Sequence, residues 1–237
     1  MNLSDQTRAK LKTVSVATIC TALYKCGFRN QFIQDVHAVN RAGPMVGEAF
    51  TLRYIPARED LNDISVFQDP KHPQRQAIER CPPGSVLVID SRRDPRAASA
   101  GSILVTRLMV RGCAGIVTDG GFRDAPEMAR MDFPVYHNRP SAPTNLTRHQ
   151  ALDINLPIGC GDAPVWPGDV VVGDAEGVVV IPAHLADKIA DDAVEMTAFE
   201  DLVTQEVQAG RSIIGLYPAT HEKTKTDFAA WRKANGR

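Results

Sequence analysis

Short β-branched runs bounded by glycine and proline alternate with amphipathic stretches along this chain. Ser15–Cys26 places Val16, Ile19, Cys20 and Leu23 on one face at helical spacing, and Gly27 is suited to cap that helix. Gly47–Tyr54 alternates as a strand does. Arg58–Pro83 is charged and punctuated by prolines, and reads as a surface excursion with a helix at its start. After the turn Pro82-Pro83-Gly84, Ser85–Asp90 has the apolar continuity of a buried strand. Ser91–Ala100 is a basic loop, Gly101 opens a helix reaching about Arg111, Gly112 ends it, and Ile116–Thr118 is the next strand. Strand, helix and strand in that order predict a parallel pair joined by a right-handed crossover.

Further along, Phe133–Tyr136 is a short strand and Asn138–Thr147 a loop. From Asp153 to Pro182 strands and turns predominate: Ile154–Ile158 reads as a strand. The Val-rich runs Val170–Val172 and Val178–Ile181 flank an Asp/Gly-rich turn as a hairpin would. Ala183–Ala209 is a long amphipathic helix that Gly210 can cap, and Lys223–Arg237 is a polar, adaptable tail. The pattern describes one α/β domain over residues 1–237, with its core at about 14–182 and a C-terminal helical arm and tail at 183–237.

Composition narrows the class. The chain has 237 residues, 43% of them hydrophobic, and a formal net charge of -1, which gives no reason to expect nucleic acid or membrane as a partner. No apolar run approaches the ~20 residues of a membrane span. Met1–Lys12 is polar and charged, without the apolar region of a signal peptide, so the expected location is cytoplasmic. Five scattered cysteines form no CxxC pair, which argues against a zinc site or a disulfide framework.

The chemistry concentrates in one stretch. The apolar run Cys113–Val117 leads into Thr118-Asp119-Gly120-Gly121-Phe122-Arg123-Asp124, with Glu127 three residues on. Open α/β sheets place ligands at the carboxyl ends of their strands. A guanidinium there offers fixed donors to a carboxylate or enolate, and a carboxylate beside it can hold a hard divalent cation. Asp119 reads as a turn former that could also brace the site. The six histidines form no HxxxH or HxH pair, and Gly120-Gly121 lacks the spacing of a dinucleotide site. No lysine lies in the motif, which disfavours Schiff-base chemistry.

Gly101-Ser-Ile-Leu, Arg111-Gly-Cys-Ala-Gly, Asp119-Gly-Gly-Phe-Arg-Asp124, Phe133-Pro-Val-Tyr136 and the segment Pro167–Pro182 together resemble the RraA-like family. That family contains the 4-hydroxy-4-methyl-2-oxoglutarate aldolases and the regulator of ribonuclease activity A. The resemblance runs from about Val14 to Pro218. It implies a phosphohistidine-domain-like α/β fold, a homotrimer or hexamer, and a magnesium- or manganese-dependent class II aldolase acting on a small 2-oxo acid at a subunit interface. Pyruvate would be released, with oxaloacetate decarboxylation as a side activity.

By that resemblance Arg123 contacts the C2 oxygen of the substrate and Asp124 binds the metal. The backbone N–H groups of Gly101, Ser102, Ile103 and Leu104 hold the substrate carboxylate, as a helix N-terminus is suited to do. Glu127 and Glu200 are the candidates for further acids of the metal shell, Glu200 reaching a neighbouring subunit, a place that Asp201, Glu195 or Glu206 could fill instead. Against these stand plainer roles: an ion pair for Arg123, a helix cap for Asp124, a helix start at Gly101, and solvated helix faces for Glu127 and Glu200. Several aldolases carry an acid where this chain has Ser102. The segment Arg58–Pro83 and the basic run Arg92–Arg96 also depart from the shorter aldolases. If they border the pocket, the substrate is larger or more anionic; otherwise they are solvated loops. Two other functions share the fold: a protein-binding regulator of ribonuclease, and a lyase acting on a sugar-derived acid.

Overall fold

A computed structural model describes residues 3–236. Helices α1 (Asp5–Leu11) and α2 (Val16–Lys25) each start at a serine whose Oγ accepts a backbone N–H, Ser4 from Thr7 at 3.1 Å and Ser15 from Thr18 at 3.0 Å. Strands β1 (His37–Ala38) and β2 (Met45–Pro56) follow, then α3 (Pro73–Arg80), β3 (Ser85–Asp90) and β4 (Ala98–Ala100). Next come α4 (Ser102–Val110), β5 (Gly115–Thr118), β6 (Gly121–Phe122) and α5 (Ala125–Met128). The strands then run β7 (Val135–His137), β8 (Arg139–Pro140), β9 (His149–Ile154), β10 (Ile158–Cys160), β11 (Ala163–Val165), β12 (Val170–Gly173) and β13 (Val178–Ile181). Helices α6 (Ala186–Gln208) and α7 (Glu222–Asn235) close the chain.

The main sheet has the order β1-β7-β5-β3-β2-β12-β13, with β9 also paired to β2. Strands β2, β3, β5 and β7 are parallel to their neighbours in that series, whereas β12 is antiparallel to both β2 and β13. The expected crossover β3-α4-β5 and the Val-rich hairpin β12-β13 are both present. A second, smaller parallel sheet has the order β4-β6-β8. Each of its strands follows one of the central parallel strands in the chain, β4 after β3, β6 after β5 and β8 after β7, so it forms a ledge beyond their carboxyl ends.

Alternation along the strands divides the core. Leu87, Ile89, Ile116 and Val135 pack against Ala77 and Ile78 of α3, Val105 and Leu108 of α4, and Met128 of α5. Val46, Val170, Val172 and Ile181 meet Leu11, Ile19, Leu23 and Ile189 of α1, α2 and α6. The opposite face, with Val86, Val88, Val117 and Val180, is covered by Ile158, Cys160 and Val165 of the β10-β11 hairpin. The helices therefore form two groups over the sheet, α3-α4-α5 and α1-α2-α6.

Four expectations change. The segment 58–83 is a surface excursion only over residues 58–71: its α-helix lies at the end, not the start, and buries Gln74, Ala77 and Ile78 against the sheet. The charged Arg75, Glu79 and Arg80 between and after those positions hide the buried stripe from a periodicity count. Ile154–Ile158 is not one strand: Ile154 ends β9 and Ile158 opens β10, and in the turn between them Asn155 takes a positive φ of 58° and Thr51 Oγ1 donates to Leu156 O at 2.6 Å. Within Asn138–Thr147, β8 and a 3-10 turn at Asn145–Thr147 replace the plain loop. The tail is the helix α7, docked on α6 through Trp231 Nε1 to Gln205 Oε1 at 2.8 Å and Phe228 edge-on to Phe199; Arg237 lies outside the described residues.

Candidate active site

The ledge sheet delivers the candidate residues to one place. Strand β4 ends at Ala100, and Gly101 caps the N-terminus of α4. Alongside it β6 ends at Phe122, and Arg123 N donates to Ala100 O at 3.1 Å, which fixes the register between the two walls of the site. Asp124 takes a left-handed conformation, φ 59° and ψ 33°, that turns the chain into α5. Such a conformation is costly for most residues and tolerated by Asp and Asn.

Asp124 then reaches back to the helix. Its Oδ2 accepts from Ser102 N at 3.1 Å and from Ser102 Oγ at 3.3 Å, while Oδ1 stands 3.5 Å from Arg123 Nε. Gly101 is required by this closeness: a Cβ there would stand 2.8 Å from Asp124 Oδ2 and 3.0 Å from Arg123 Cγ. The Ser102 N–H, one of the expected substrate donors, is thus taken by Asp124, and Leu104 N bonds Gly101 O at 3.1 Å. Among the described residues, Ile103 N–H has no protein acceptor and is the donor the helix offers a ligand.

Arg123, Asp124, Gly101, Ile103 and Leu104 line a cavity of about 790 Å³. Its other wall, whose individual residues the sequence did not single out, comes from Ile64 and Phe67 of a 3-10 turn, Gln74 and Arg75 of α3, and Thr144 and Asn145. The segment 58–83 therefore does border the pocket. The basic run does not. Arg96 binds Asp94 through Nε and Nη2, each at 2.8 Å, Arg148 adds a third contact at 3.3 Å, and these hold the Asp94 carboxyl well below the usual range. Arg93 pairs with Asp35 and Asp162.

The remaining candidates stand elsewhere. Glu127 is exposed on α5, 3.7 Å from Arg130. Glu200 belongs to the other helix group; its carboxylate accepts from Thr18 Oγ1 at 3.1 Å and Tyr217 OH at 3.3 Å. Among the described residues no three His, Cys, Asp or Glu side chains are grouped to hold a metal ion. Asp124 is the carboxylate on the cavity wall, half-buried, and magnesium takes one or two carboxylates and completes its shell with water. A magnesium or manganese ion fits that donor set. Asp119 is buried and braces the loops, accepting from Ser91 N at 2.7 Å, Arg93 N at 3.1 Å and Gly161 N at 3.2 Å. Burial outweighs those bonds and pushes its carboxyl up to about 6. His137 is buried against Phe122, and burial lowers its pKa to about 4.

Over 126 residues the chain is 33% identical to a protein of Halalkalibacterium halodurans named "Putative 4-hydroxy-4-methyl-2-oxoglutarate aldolase", a match covering 53% of this chain and 60% of that one. The first three curated relatives are matched over 60%, 31% and 54% of their own lengths, so the chain spans less than two thirds of each. Among solved structures, Streptomyces coelicolor RraAS2, described as an unusual member of the RNase ES inhibitor RraA protein family, superposes with a TM-score of 0.74. It is 28% identical and is covered to 97%, against 85% of this chain. A Pseudomonas syringae protein of uncharacterised function shares the fold at a TM-score of 0.78 and 20% identity, over 92% of this chain and 99% of that one. The family model RraA-like, Aldolase/RraA, matches residues 16–180, and the chain belongs to the RraA-like family.

Proposed function

We propose that this chain is a divalent-metal-assisted carbon–carbon lyase that cleaves a 4-hydroxy-2-oxo acid, such as 4-hydroxy-4-methyl-2-oxoglutarate, to pyruvate. The observation that carries the reading is the convergence of Arg123, Asp124 and the α4 N-terminus on one cavity. Ile103 N–H, at the positive end of α4, receives the C1 carboxylate. Arg123 faces the C2 oxygen. Removal of the C4 hydroxyl proton to water and cleavage of the C3–C4 bond send the electron pair to that oxygen. The fixed guanidinium stabilises the charge where it develops. Protonation at C3 completes pyruvate, and C4 leaves as a carbonyl. Asp124 would hold magnesium or manganese, whose role when bound is to polarise the 2-oxo group as a Lewis acid. Oxaloacetate yields the same enolate by losing carbon dioxide, so its decarboxylation is the expected side activity.

The site is completed, in this reading, by a neighbouring copy in a trimer or hexamer. Ile103 is 83% exposed and Val110 69% exposed on α4, an apolar face beside the cavity that a second chain would cover. Glu200 of that copy, and Glu127 of this one, would order water about the metal. The test is a coupled pyruvate-release assay on 4-hydroxy-4-methyl-2-oxoglutarate and oxaloacetate with magnesium, repeated with chelator and with Arg123→Ala. Metal-dependent release that Arg123→Ala lowers by at least about a hundredfold is expected; unchanged release by Arg123→Ala refutes the assignment. The kinship with RraAS2 favours a second reading, a ribonuclease-binding regulator. Absence of pyruvate from both acids, together with inhibition of an RNase E-type enzyme, would establish that reading instead.

A further inference from the structure

The α3 wall of the cavity carries a cation with no role in the reaction described above. Arg75 lines the same cavity as Arg123 and Asp124. Its guanidinium stands 4.7 Å from the centroid of the Phe67 ring, and Nη1 donates to Gln74 Oε1 at 2.9 Å. Gln74 is itself buried and tied down, its Nε2 donating to Tyr54 OH at 2.9 Å and to Ser99 O at 2.7 Å. The guanidinium is therefore held in place before any ligand arrives.

Its charge is not neutralised. The acid on the same helix, Glu79, pairs with Arg107 at 2.8 Å and Arg111 at 3.7 Å. Among the described residues Arg75 has no carboxylate partner. Arg92, Arg93, Arg96 and Arg148, by contrast, all pair with aspartates. An arginine stacked on a ring keeps its edge N–H donors, and that edge matches a carboxylate. The C1 carboxylate and the C2 oxygen are served by α4 and Arg123, and a cavity of about 790 Å³ is much larger than a three-carbon acid needs.

We propose that Arg75 is a specificity-determining residue that binds a second carboxylate at the far end of the substrate, so that the site prefers dicarboxylic over monocarboxylic 4-hydroxy-2-oxo acids. The inference rests on the 2-oxo acid reading of the site. Phe67 and Gln74 act through Arg75 as positioning residues.

The test compares two acids of equal carbon number, 2-oxoglutarate and 2-oxopentanoate, which differ by the terminal carboxylate. Binding is measured by calorimetry on the full chain with magnesium. The unsubstituted protein should prefer 2-oxoglutarate by about 10- to 100-fold, the worth of a charge-assisted pair. Arg75→Gln should reduce the preference to below about threefold, and Arg75→Lys, which keeps the charge without the fork, should fall between. A preference that survives Arg75→Gln, or one absent from the unsubstituted protein, overturns the assignment of Arg75 and leaves the 2-oxo acid site standing. Failure of the unsubstituted protein to bind either acid overturns both. Arg123→Ala separates the two ideas, because it should weaken both acids alike.

Discussion

Replacing Gly101 by alanine tests the geometry of the site more sharply than removing a charged group. Gly101 has φ -125° and ψ 173°, a backbone conformation open to any residue, so alanine introduces no backbone strain. What it adds is one methyl group, 2.8 Å from Asp124 Oδ2, 3.0 Å from Arg123 Cγ and 3.2 Å from Arg123 Cδ. Ordinary van der Waals contact is 3.4–4 Å, so the carboxylate must retreat by about 0.6 Å. A retreat along the same line stretches the Ser102 N to Asp124 bond toward about 3.7 Å, beyond hydrogen-bonding distance. Both displaced side chains are partly exposed and can move without opening a cavity, and alanine is a poorer N-cap than glycine, so the stability cost is about 1 kcal/mol or less. That corresponds to a Tm lower by roughly 2–4 °C for a chain of this size. Displacement of a positioned group by up to 1 Å can cost about a hundredfold in rate, so kcat/KM for pyruvate release should fall by about 10- to 100-fold. Steady-state kinetics with magnesium and a thermal melt on the same preparation read both numbers. A variant with kcat/KM within about twofold of the unsubstituted protein would refute the claim that the Arg123–Asp124 pair is held at a functional distance from the α4 N-terminus.

Two more outcomes follow from the same structure. If Asp124 holds the metal, millimolar magnesium or manganese should raise the melting temperature of the unsubstituted protein and not that of Asp124→Asn, since a ligand stabilises only the state that binds it; an equal rise in both proteins, or none in the unsubstituted protein, would exclude Asp124 as the metal ligand. Stability should fall as the pH drops from 6.5 to 4. His137 and His149 are buried, and desolvation lowers each to about 4 from 6.5, so the unfolded chain binds their protons first and each contributes up to roughly 3 kcal/mol that is present above pH 6.5 and lost toward pH 4. Asp119, raised to about 6 from 3.8, has the opposite sign: its protonation favours the folded state as pH falls through 6, by roughly 3 kcal/mol. For these three groups together the loss is of order 3 kcal/mol, to which buried His72 adds and the raised Asp90 and Asp169 carboxyls run counter; it is read as the difference in urea midpoints at pH 7 and 4.5. His149→Gln should shrink that difference, and an unchanged difference would sink the account.

The wall that carries Arg123 and Asp124 was legible in the sequence because its constraints are local. Gly120 and Gly121 precede Arg123 and Asp124 for a steric reason: a Cβ at either would stand 2.5 Å from Ser91 Cβ or 2.6 Å from Ser141 Cβ. Gly101 marked the start of α4 for a related reason. The α3 wall was not legible, because what brings Arg75 to the cavity is the burial of Gln74, Ala77 and Ile78 against strands distant in the chain. Strands β4, β6 and β8, of two or three residues each, are too short to show a period. The use of Ser102 N–H by Asp124 depends on the left-handed turn at Asp124, which no residue pattern announces.

The ledge of β4, β6 and β8 has a consequence for how this protein could be altered. Its register rests on main-chain bonds such as Arg123 N to Ala100 O and Ser141 N to Phe122 O, which depend little on side-chain identity. The facing wall is made from a helix and two turns, 64–68 and 145–147; Gln74 joins it to the ledge at Ser99 O, and the second turn is tied to β4 by Ala98 N donating to Pro143 O at 2.8 Å. On the proposed reading, the residues that break the bond and those that select the acid therefore lie on different segments of the chain. Libraries confined to residues 64–75 should then retune which acids are accepted while Arg123, Asp124 and the α4 N-terminus keep their arrangement.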